Sequence, residues 1–264
     1  MHDDHGAPPK RVGLRLFLVL WLAGVGATML LTPVLGWLAE AQQTGAAADW
    51  REIYALPLAS AAVFYGAVVY LGLRLSTRYG LGAPILGAWL GGGRVEGVAR
   101  TLASAAALGA AAAIAVVLVA VVLGTSHIGP GAGIQAELPW ASGVPLALFA
   151  AVNDEIFFRL GVMTGVVWFT VHLLPATDGS PSKYAMWFSV ALSALFYQIF
   201  DVTPLGIAGP ADAADAVLSR ALQIIGIAAG ALFGWLYWRR GLESAMAAHL
   251  AYALVLFYGI VVAV

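Results

Sequence analysis

The sequence predicts an all-α, polytopic transmembrane helix bundle with about seven spans and a cytoplasmic N-terminus. Composition carries the first part of this prediction, because 61% of the 264 residues are hydrophobic and only 10% are charged. Together with a mean hydropathy of +0.88, these values lie far from those of water-soluble domains. The second observation is that the apolar residues fall in long runs, and a helix of about 20 such residues crosses a bilayer.

Each predicted span is an apolar run bounded by polar, glycine-containing or proline-containing loops. The first run is about twice as long as a signal-peptide core of 7–15 residues, so we expect a retained anchor helix. The glycine-rich residues 75–93 have an apolar core that is too short to cross, which predicts an interfacial connection. The fourth span exceeds a minimal crossing and is expected to tilt, kink or extend beyond the hydrocarbon. The predicted spans are residues 12–39, 54–73, 102–123, 144–174, 184–200, 216–238 and 242–264.

The basic residues predict the orientation of the bundle. Cytoplasmic loops carry an excess of Lys and Arg, and seven spans sort the basic residues very unevenly between the two sides. The side opposite the N-terminus has only Arg51 and Arg220. The side of the N-terminus has Lys10, Arg11, Arg15, Arg74, Arg78, Arg94, Arg100, Lys183, Arg239 and Arg240.

The sixth predicted span carries a doubled G-x-x-x-G pattern formed by Gly226, Gly230 and Gly234. Small residues at this spacing lie on one helix face and let a second helix approach backbone to backbone. The partner helix is either in the same bundle or in a second copy of the chain. The oligomeric state is therefore left open.

Composition also excludes several function classes. A formal net charge of -1 provides no basic surface for phosphates, so we expect no nucleic-acid partner. The chain has no cysteine, which removes disulfides and thiolate metal sites. It also lacks a His-Glu-x-x-His motif. We predict no cofactor and no required metal.

The most informative stretch is residues 153–159, Asn-Asp-Glu-Ile-Phe-Phe-Arg, inside the fourth span. An ionisable group in the hydrocarbon costs at least about 2.5–3.5 kcal/mol, so such residues usually face the bundle interior and mark a site. On an α-helix, Glu155 and Arg159 would lie one turn apart and form an ion pair. Asp154 would be rotated from Glu155 by roughly 100°, which makes it the candidate reacting carboxylate.

Three motifs in the C-terminal part of the chain resemble those of a known family. They are Asp154-Glu155-x-x-x-Arg159, Phe196 on the next predicted span, and His249 after the glycine-rich helix. Their order is similar to that of the CPBP family, the CAAX-prenyl-protease and bacteriocin-processing intramembrane endopeptidases. That family is known by Glu-Glu-x-x-x-Arg, Phe-x-x-x-His and His-x-x-x-Asn/Asp on successive membrane helices.

The resemblance implies a fold of packed membrane helices and a role for each matching residue. Asp154 would activate a water molecule, Glu155 and Arg159 would brace it, and His249 would position the water or stabilise the oxyanion. Composition and the apolar runs predict a polar tail (1–11) and an N-terminal transmembrane part (12–143), and the resemblance implies a CPBP-like transmembrane domain (144–264).

Three positions depart from the family pattern. Asp154 is one methylene shorter than the expected Glu, Phe200 stands where His is expected, and Ala253 stands where Asn or Asp is expected. A lost oxyanion donor costs about 10²–10³ in rate. Tyr197, three residues before Phe200, and Tyr252, three residues after His249, lie on the same helical faces as those motif positions and are candidate supporting residues. Interior aromatic packing is the alternative for both.

Two function classes follow from these residues. The first is an intramembrane endopeptidase of a bacterial inner membrane that hydrolyses a peptide bond in a peptide or membrane-protein segment by carboxylate-activated water. The second is a catalytically inactive family member that acts as a membrane scaffold, chaperone or immunity factor. The charged residues also allow a purely structural ion network. A transporter ranks lower, because paired broken helices in matching halves are not visible.

Overall fold

The computed structural model describes residues 10–41, 51–122, 140–173, 180–202 and 213–263. Within these ranges the regular structure is entirely helical, which confirms the predicted all-α class. Several predicted features lie outside the described residues. They are positions 1–9 of the polar tail and the loop residues 42–50, 124–139 and 203–212.

The described helices follow one another along the chain. Brief helical turns are formed by Arg51–Ala55, Thr77–Tyr79 and Trp140–Ser142. The main elements are α1 (Lys10–Ala41), α2 (Leu56–Ser76), α3 (Pro84–Leu90), α4 (Val98–Val122), α5 (Gly143–Phe149), a π-helix (Ala150–Met163), α6 (Thr164–Leu173), α7 (Lys183–Val202), α8 (Ala213–Arg240) and α9 (Leu242–Ala263).

Five described helical stretches are long and apolar enough to cross a membrane, so the chain is an integral membrane protein. The other two predicted spans fall on α7 and α8. Both are helices, but part of each lies among residues whose side chains are not described, and the five were found among the described residues alone. Seven spans and a cytoplasmic N-terminus therefore remain predictions. The five stretches are Gly13–Val34, Leu56–Tyr79, Val98–Val119, Trp140–Leu173 and Leu242–Gly259.

The last helix, α9, lies in the middle of the packing, against α4, α8 and the π-helix. Its contact with α4 depends on Gly109, because a Cβ at that position would overlap the backbone of Ala248. Only glycine lets the two helix backbones approach so closely. Since Ala248 directly precedes His249, this contact also fixes the position of the candidate histidine.

The glycine stripe of α8 packs against α7 within the same chain. A Cβ on Gly234 would stand 3.2 Å from Val190, and one on Gly230 would stand 3.2 Å from the Cβ of Ala194. Of the two alternatives that the sequence left open, the structure therefore shows the one within the bundle.

This packing predicts a crosslink. Disulfides need Cβ atoms about 3.5–4.5 Å apart, so Ala194→Cys combined with Gly230→Cys should form an intramolecular disulfide on mild oxidation. The natural chain has no cysteine to interfere. Non-reducing electrophoresis would show a faster monomer band, and Leu195→Cys with Gly230→Cys is the matched control, because Leu195 is 43% exposed. A crosslink that appears only between two copies would contradict this packing.

The start of α9 is held by the short connection between α2 and α4. Gly241 turns the chain between α8 and α9 with a φ of 92°, a left-handed conformation that favours glycine. The Leu242 N–H donates to the Gly82 carbonyl at 2.9 Å, and the Leu86 N–H donates to Glu243 Oε1 at 2.8 Å. Helix α3 has seven residues and is too short to cross, as expected for an interfacial connection.

Candidate active site

The charged stretch lies on a π-helix, Ala150–Met163, and not on the α-helix that the spacing of its residues predicted. A π-helix bonds each residue to the fifth residue before it, and such turns occur frequently at functional sites. Consistent with the wide turn, the Thr164 backbone N–H donates to the Arg159 carbonyl, five residues earlier, and the Thr164 hydroxyl donates to the same oxygen at 3.1 Å. The rotation per residue is smaller than in an α-helix, so the predicted angle between Asp154 and Glu155 is wrong.

The π-helix directs its polar side chains toward different neighbours. The buried Asn153 donates from Nδ2 to Thr28 Oγ1 on α1 at 2.9 Å. Glu155 contacts His249 on α9, whereas Arg159 reaches α7. We infer that these tertiary hydrogen bonds favour the wide turn over the α-helix, because each buried polar group needs a partner.

Glu155 and His249 form a buried carboxylate–imidazole pair. Glu155 Oε1 lies 2.9 Å from His249 Nδ1, and the two residues are 0% and 2% exposed. An ionised carboxylate only accepts hydrogen bonds, so Nδ1 is then the donor. This arrangement orients the ring and leaves Nε2 for a further partner.

Arg159 completes the cluster, and its contact with Glu155 confirms the predicted ion pair. Its Nε lies 3.3 Å from Glu155 Oε2, although the geometry at both atoms is not that of a hydrogen bond. Arg159 Nη1 donates to Ser193 Oγ at 2.5 Å. Arg159 Nη2 has no hydrogen-bond partner among the described residues. The cluster therefore retains buried donor and acceptor capacity that a water molecule or a peptide group can use.

Aromatic side chains surround the imidazole. Phe233 stacks on His249 with ring centroids 4.6 Å apart and an interplanar angle of 15°. Tyr197 meets His249 edge to face at 5.8 Å and also lies under the Arg159 guanidinium at 6.0 Å. The Tyr252 ring is 6.4 Å from that of His249. Both tyrosines thus lie in the cluster, where the sequence predicted supporting residues.

Phe196 behaves differently from the tyrosines. It is 38% exposed, so its ring lies at the surface of the bundle and not inside the buried cluster. Tyr197, the next residue, takes the inward position on α7. Of the two replaced motif residues, Ala253 lies on α9 and Phe200 on α7. The side chain of Phe200 is outside the described part.

Asp154 and the adjacent Glu155 differ in burial. Glu155 is fully buried, whereas Asp154 is only partly buried. The electrostatic neighbour of Asp154 on α2 is Tyr65. The structure therefore brings Glu155, Arg159 and His249 together in the interior. Of the two adjacent carboxylates, Asp154 is more accessible than Glu155.

The hydroxyl groups that hold the cluster were not predicted from the sequence. Ser193 accepts from Arg159 and donates to the Phe158 carbonyl at 3.1 Å, and Thr164 lies 2.8 Å from the Tyr237 hydroxyl. Their signal was weak, because single hydroxyl residues are common in apolar helices, where they bond across helices. Only the tertiary arrangement shows which of them contact the charged residues.

Ser193 offers a direct test of the cluster. Ser193→Ala should destabilise the protein by about 1–3 kcal/mol, because Arg159 Nη1 would lose its partner in the interior. Ser189→Ala is the matched control on the same helix. The Ser189 hydroxyl is also buried, but its hydrogen bond within the described part of the chain goes to the Ala185 carbonyl, which already accepts a helix N–H. Unfolding in detergent micelles would compare the two variants, and equal losses would argue against a special role for Ser193.

The described residues contain no group of three His, Cys, Asp or Glu side chains arranged to hold a metal ion. The prediction that no metal is required stays a prediction.

Comparison with known proteins identifies the part of the chain that carries this cluster. Residues 135–255 match the family model described as type II CAAX prenyl endopeptidase Rce1-like. Searches of curated proteins and of solved structures found no match. The family match confirms the resemblance predicted from the motifs and supports, at the level of the family, a CAAX protease-like intramembrane endopeptidase. The matched residues 135–255 are a little under half of the chain, and they include every residue of the buried cluster.

Proposed function

We propose that this protein is an intramembrane endopeptidase that hydrolyses a peptide bond in a peptide or membrane-protein segment. The single observation that carries the proposal is the buried contact of Glu155 with both Arg159 and His249, inside the region that matches the peptidase family. Burying charged and ionisable groups together is expensive, and such groups cluster at functional sites.

The proposed base is Asp154, because it is the partly accessible carboxylate of the pair and a water molecule must reach the base. Glu155 would hold the Nδ1–H of His249, so that Nε2 bonds the water or the developing oxyanion. Arg159 would fix Glu155 and offer its unpaired Nη2 hydrogens to the same negative charge. Preorganised donors of this kind usually contribute more than any other single effect to the catalysis of acyl transfer.

The proposed reaction is balanced within these groups. Asp154 takes a proton from water, and the oxygen of that water forms a bond to the peptide carbonyl carbon. The negative charge on the carbonyl oxygen is stabilised by Arg159 and, when both ring nitrogens carry a proton, by the Nε2–H of His249. The C–N bond then breaks, and the proton held by Asp154 passes to the leaving amine.

A second function is favoured by a specific observation. Phe200 and Ala253 supply no polar side chain at two positions where the family has one. On this alternative, the chain is an inactive family member that binds a segment of another membrane protein as a scaffold, chaperone or immunity factor, and the buried ion cluster only fixes helix register.

The test uses the full-length protein in vesicles and a library of peptides that contain apolar segments. Fragment release, detected by mass spectrometry, would support the endopeptidase. Peptide binding without any release would overturn it in favour of the binding protein. We place the protein in a bacterial inner membrane, and localisation of a tagged full-length chain would test that part of the proposal.

A further inference from the structure

A cavity lies at the end of the bundle where α1 begins, α2 ends and α9 begins. Its volume is about 380 Å³, which is in the range of small ligand clefts, about 300–1,000 Å³. Its wall is part apolar and part polar. The polar or cationic side belongs to Ser76, Thr77, Arg239 and Arg240, and the apolar side includes Leu16 and Leu73.

The cavity lies at the level where the apolar stretches end. Leu16 is near the beginning of Gly13–Val34, and Thr77 is near the end of Leu56–Tyr79. Gly241 directly precedes Leu242–Gly259. Three spans therefore reach the membrane–water interface at the wall of this cavity. Trp89 and Trp187 on nearby elements are exposed. Because tryptophan is enriched at membrane–water interfaces, they support an interfacial position of the cavity.

The charge around the cavity is positive. The Arg239 guanidinium lies over the Trp238 ring at 5.8 Å, and that of Arg240 lies over the Trp235 ring at 5.8 Å. Arg240 Nη1 also donates to Ser104 Oγ on α4 at 2.9 Å. A guanidinium has five N–H donors, so these contacts orient both groups and leave donors for an anion.

One carboxylate lies close to this cavity. Glu243 Oε2 would be 3.0 Å from a Cβ placed on Gly241, but this oxygen is buried. The other oxygen accepts the Leu86 N–H at 2.8 Å. Glu243 thus holds the first turn of α3, whereas the helical segments that reach the cavity also carry the basic residues Arg15, Arg74 and Arg78.

We propose that this cavity binds the phosphate headgroup of an anionic phospholipid. A basic pocket between membrane helices at the interface is the arrangement that recognises such headgroups. The apolar wall beside the two arginines suits the glycerol and the first acyl carbons, which inorganic phosphate does not possess. The inference goes beyond the proposed peptidase and does not rest on it, because it concerns binding at the end of the bundle.

The first test counts bound lipids on the delipidated full-length protein by native mass spectrometry. The probes are phosphatidylglycerol, phosphatidylcholine with the same acyl chains, and inorganic phosphate. We expect tighter binding of phosphatidylglycerol, and a loss of about tenfold or more in Arg239→Gln/Arg240→Gln. Arg94→Gln/Arg100→Gln is the matched control, because it removes the same charge from residues that do not line the cavity.

The second test fills the cavity and leaves every charge in place. Gly87 lines the cavity, and a Cβ at this position would meet nothing within 4 Å. Gly87→Phe should therefore fold and block the lipid. Gly26→Phe is its control, since Gly26 also has open space but lies away from the cavity.

Three results would overturn the proposal. They are equal affinity for the anionic and the zwitterionic lipid, unchanged phosphatidylglycerol binding in both Arg239→Gln/Arg240→Gln and Gly87→Phe, and binding of inorganic phosphate without binding of phosphatidylglycerol. The last result would identify a free-anion site instead.

Discussion

Asp154→Asn is expected to lower the rate of peptide release by about 10²–10⁴-fold, the range that a general base contributes. The amide has nearly the same shape as the carboxylate but cannot take a proton from water. Because Asp154 is only partly buried, the free energy of unfolding should change little. Release of fragments from a labelled peptide, measured with the protein in vesicles, gives the rate.

Two further variants make the Asp154 experiment specific. Asp154→Glu restores the residue of the family pattern and should retain release, since the carboxylate is kept. Glu96→Gln removes an exposed carboxylate far from the cluster along the chain and should have no effect. Release that persists in Asp154→Asn would leave the proposed base without a role.

Arg159→Met is expected to destabilise the protein by about 3–5 kcal/mol, because it leaves the Glu155 carboxylate buried without its cation. Methionine keeps much of the apolar volume of the arginine stem, so the loss would report the charge and not a cavity. The measurement is the free energy of unfolding of the protein in bicelles. An unchanged stability would mean that Glu155 and Arg159 do not share a buried site.

The double variant Arg159→Met/Glu155→Gln separates the two causes of that loss. With the carboxylate also removed, no uncompensated charge remains, and we expect the double variant to recover part of the stability. If the double variant loses as much as the sum of the two single variants, the charges act independently.

These two experiments also distinguish the enzyme from a structural ion network. The network predicts the stability loss of Arg159→Met and no fragment release by the natural chain. The endopeptidase predicts both the stability loss and release that depends on Asp154. A stability loss together with bound but uncleaved peptide would favour the inactive family member.

The central features of the site could be predicted from sequence because charge in an apolar run has few explanations. Asp154, Glu155 and Arg159 stand out in a span that is otherwise apolar, and the motif order linked them to His249. The family match over residues 135–255 covers all four positions. The ion pair of Glu155 with Arg159 was also predicted correctly, because residues four apart remain neighbours even on the wider helix.

The local geometry could not be predicted, for a physical reason. No residue propensity specifies a π-helix, and the winding depends on partners such as Thr28 and Ser193 that lie far away in sequence. The inward position of Tyr197 in place of Phe196 likewise depends on how α7 is rotated against α8. That rotation is set by the glycine stripe, whose partner helix the sequence left open.

The coupling energy between Glu155 and His249 tests the central claim most directly, since the proposed site depends on their contact across 94 residues of chain. The measurement is a double-mutant cycle on the free energy of unfolding with Glu155→Ala, His249→Ala and the combined variant. A buried hydrogen-bonded pair predicts a coupling of about 0.5–3 kcal/mol. Additivity of the two single losses within about 0.3 kcal/mol would contradict the contact, and with it the site.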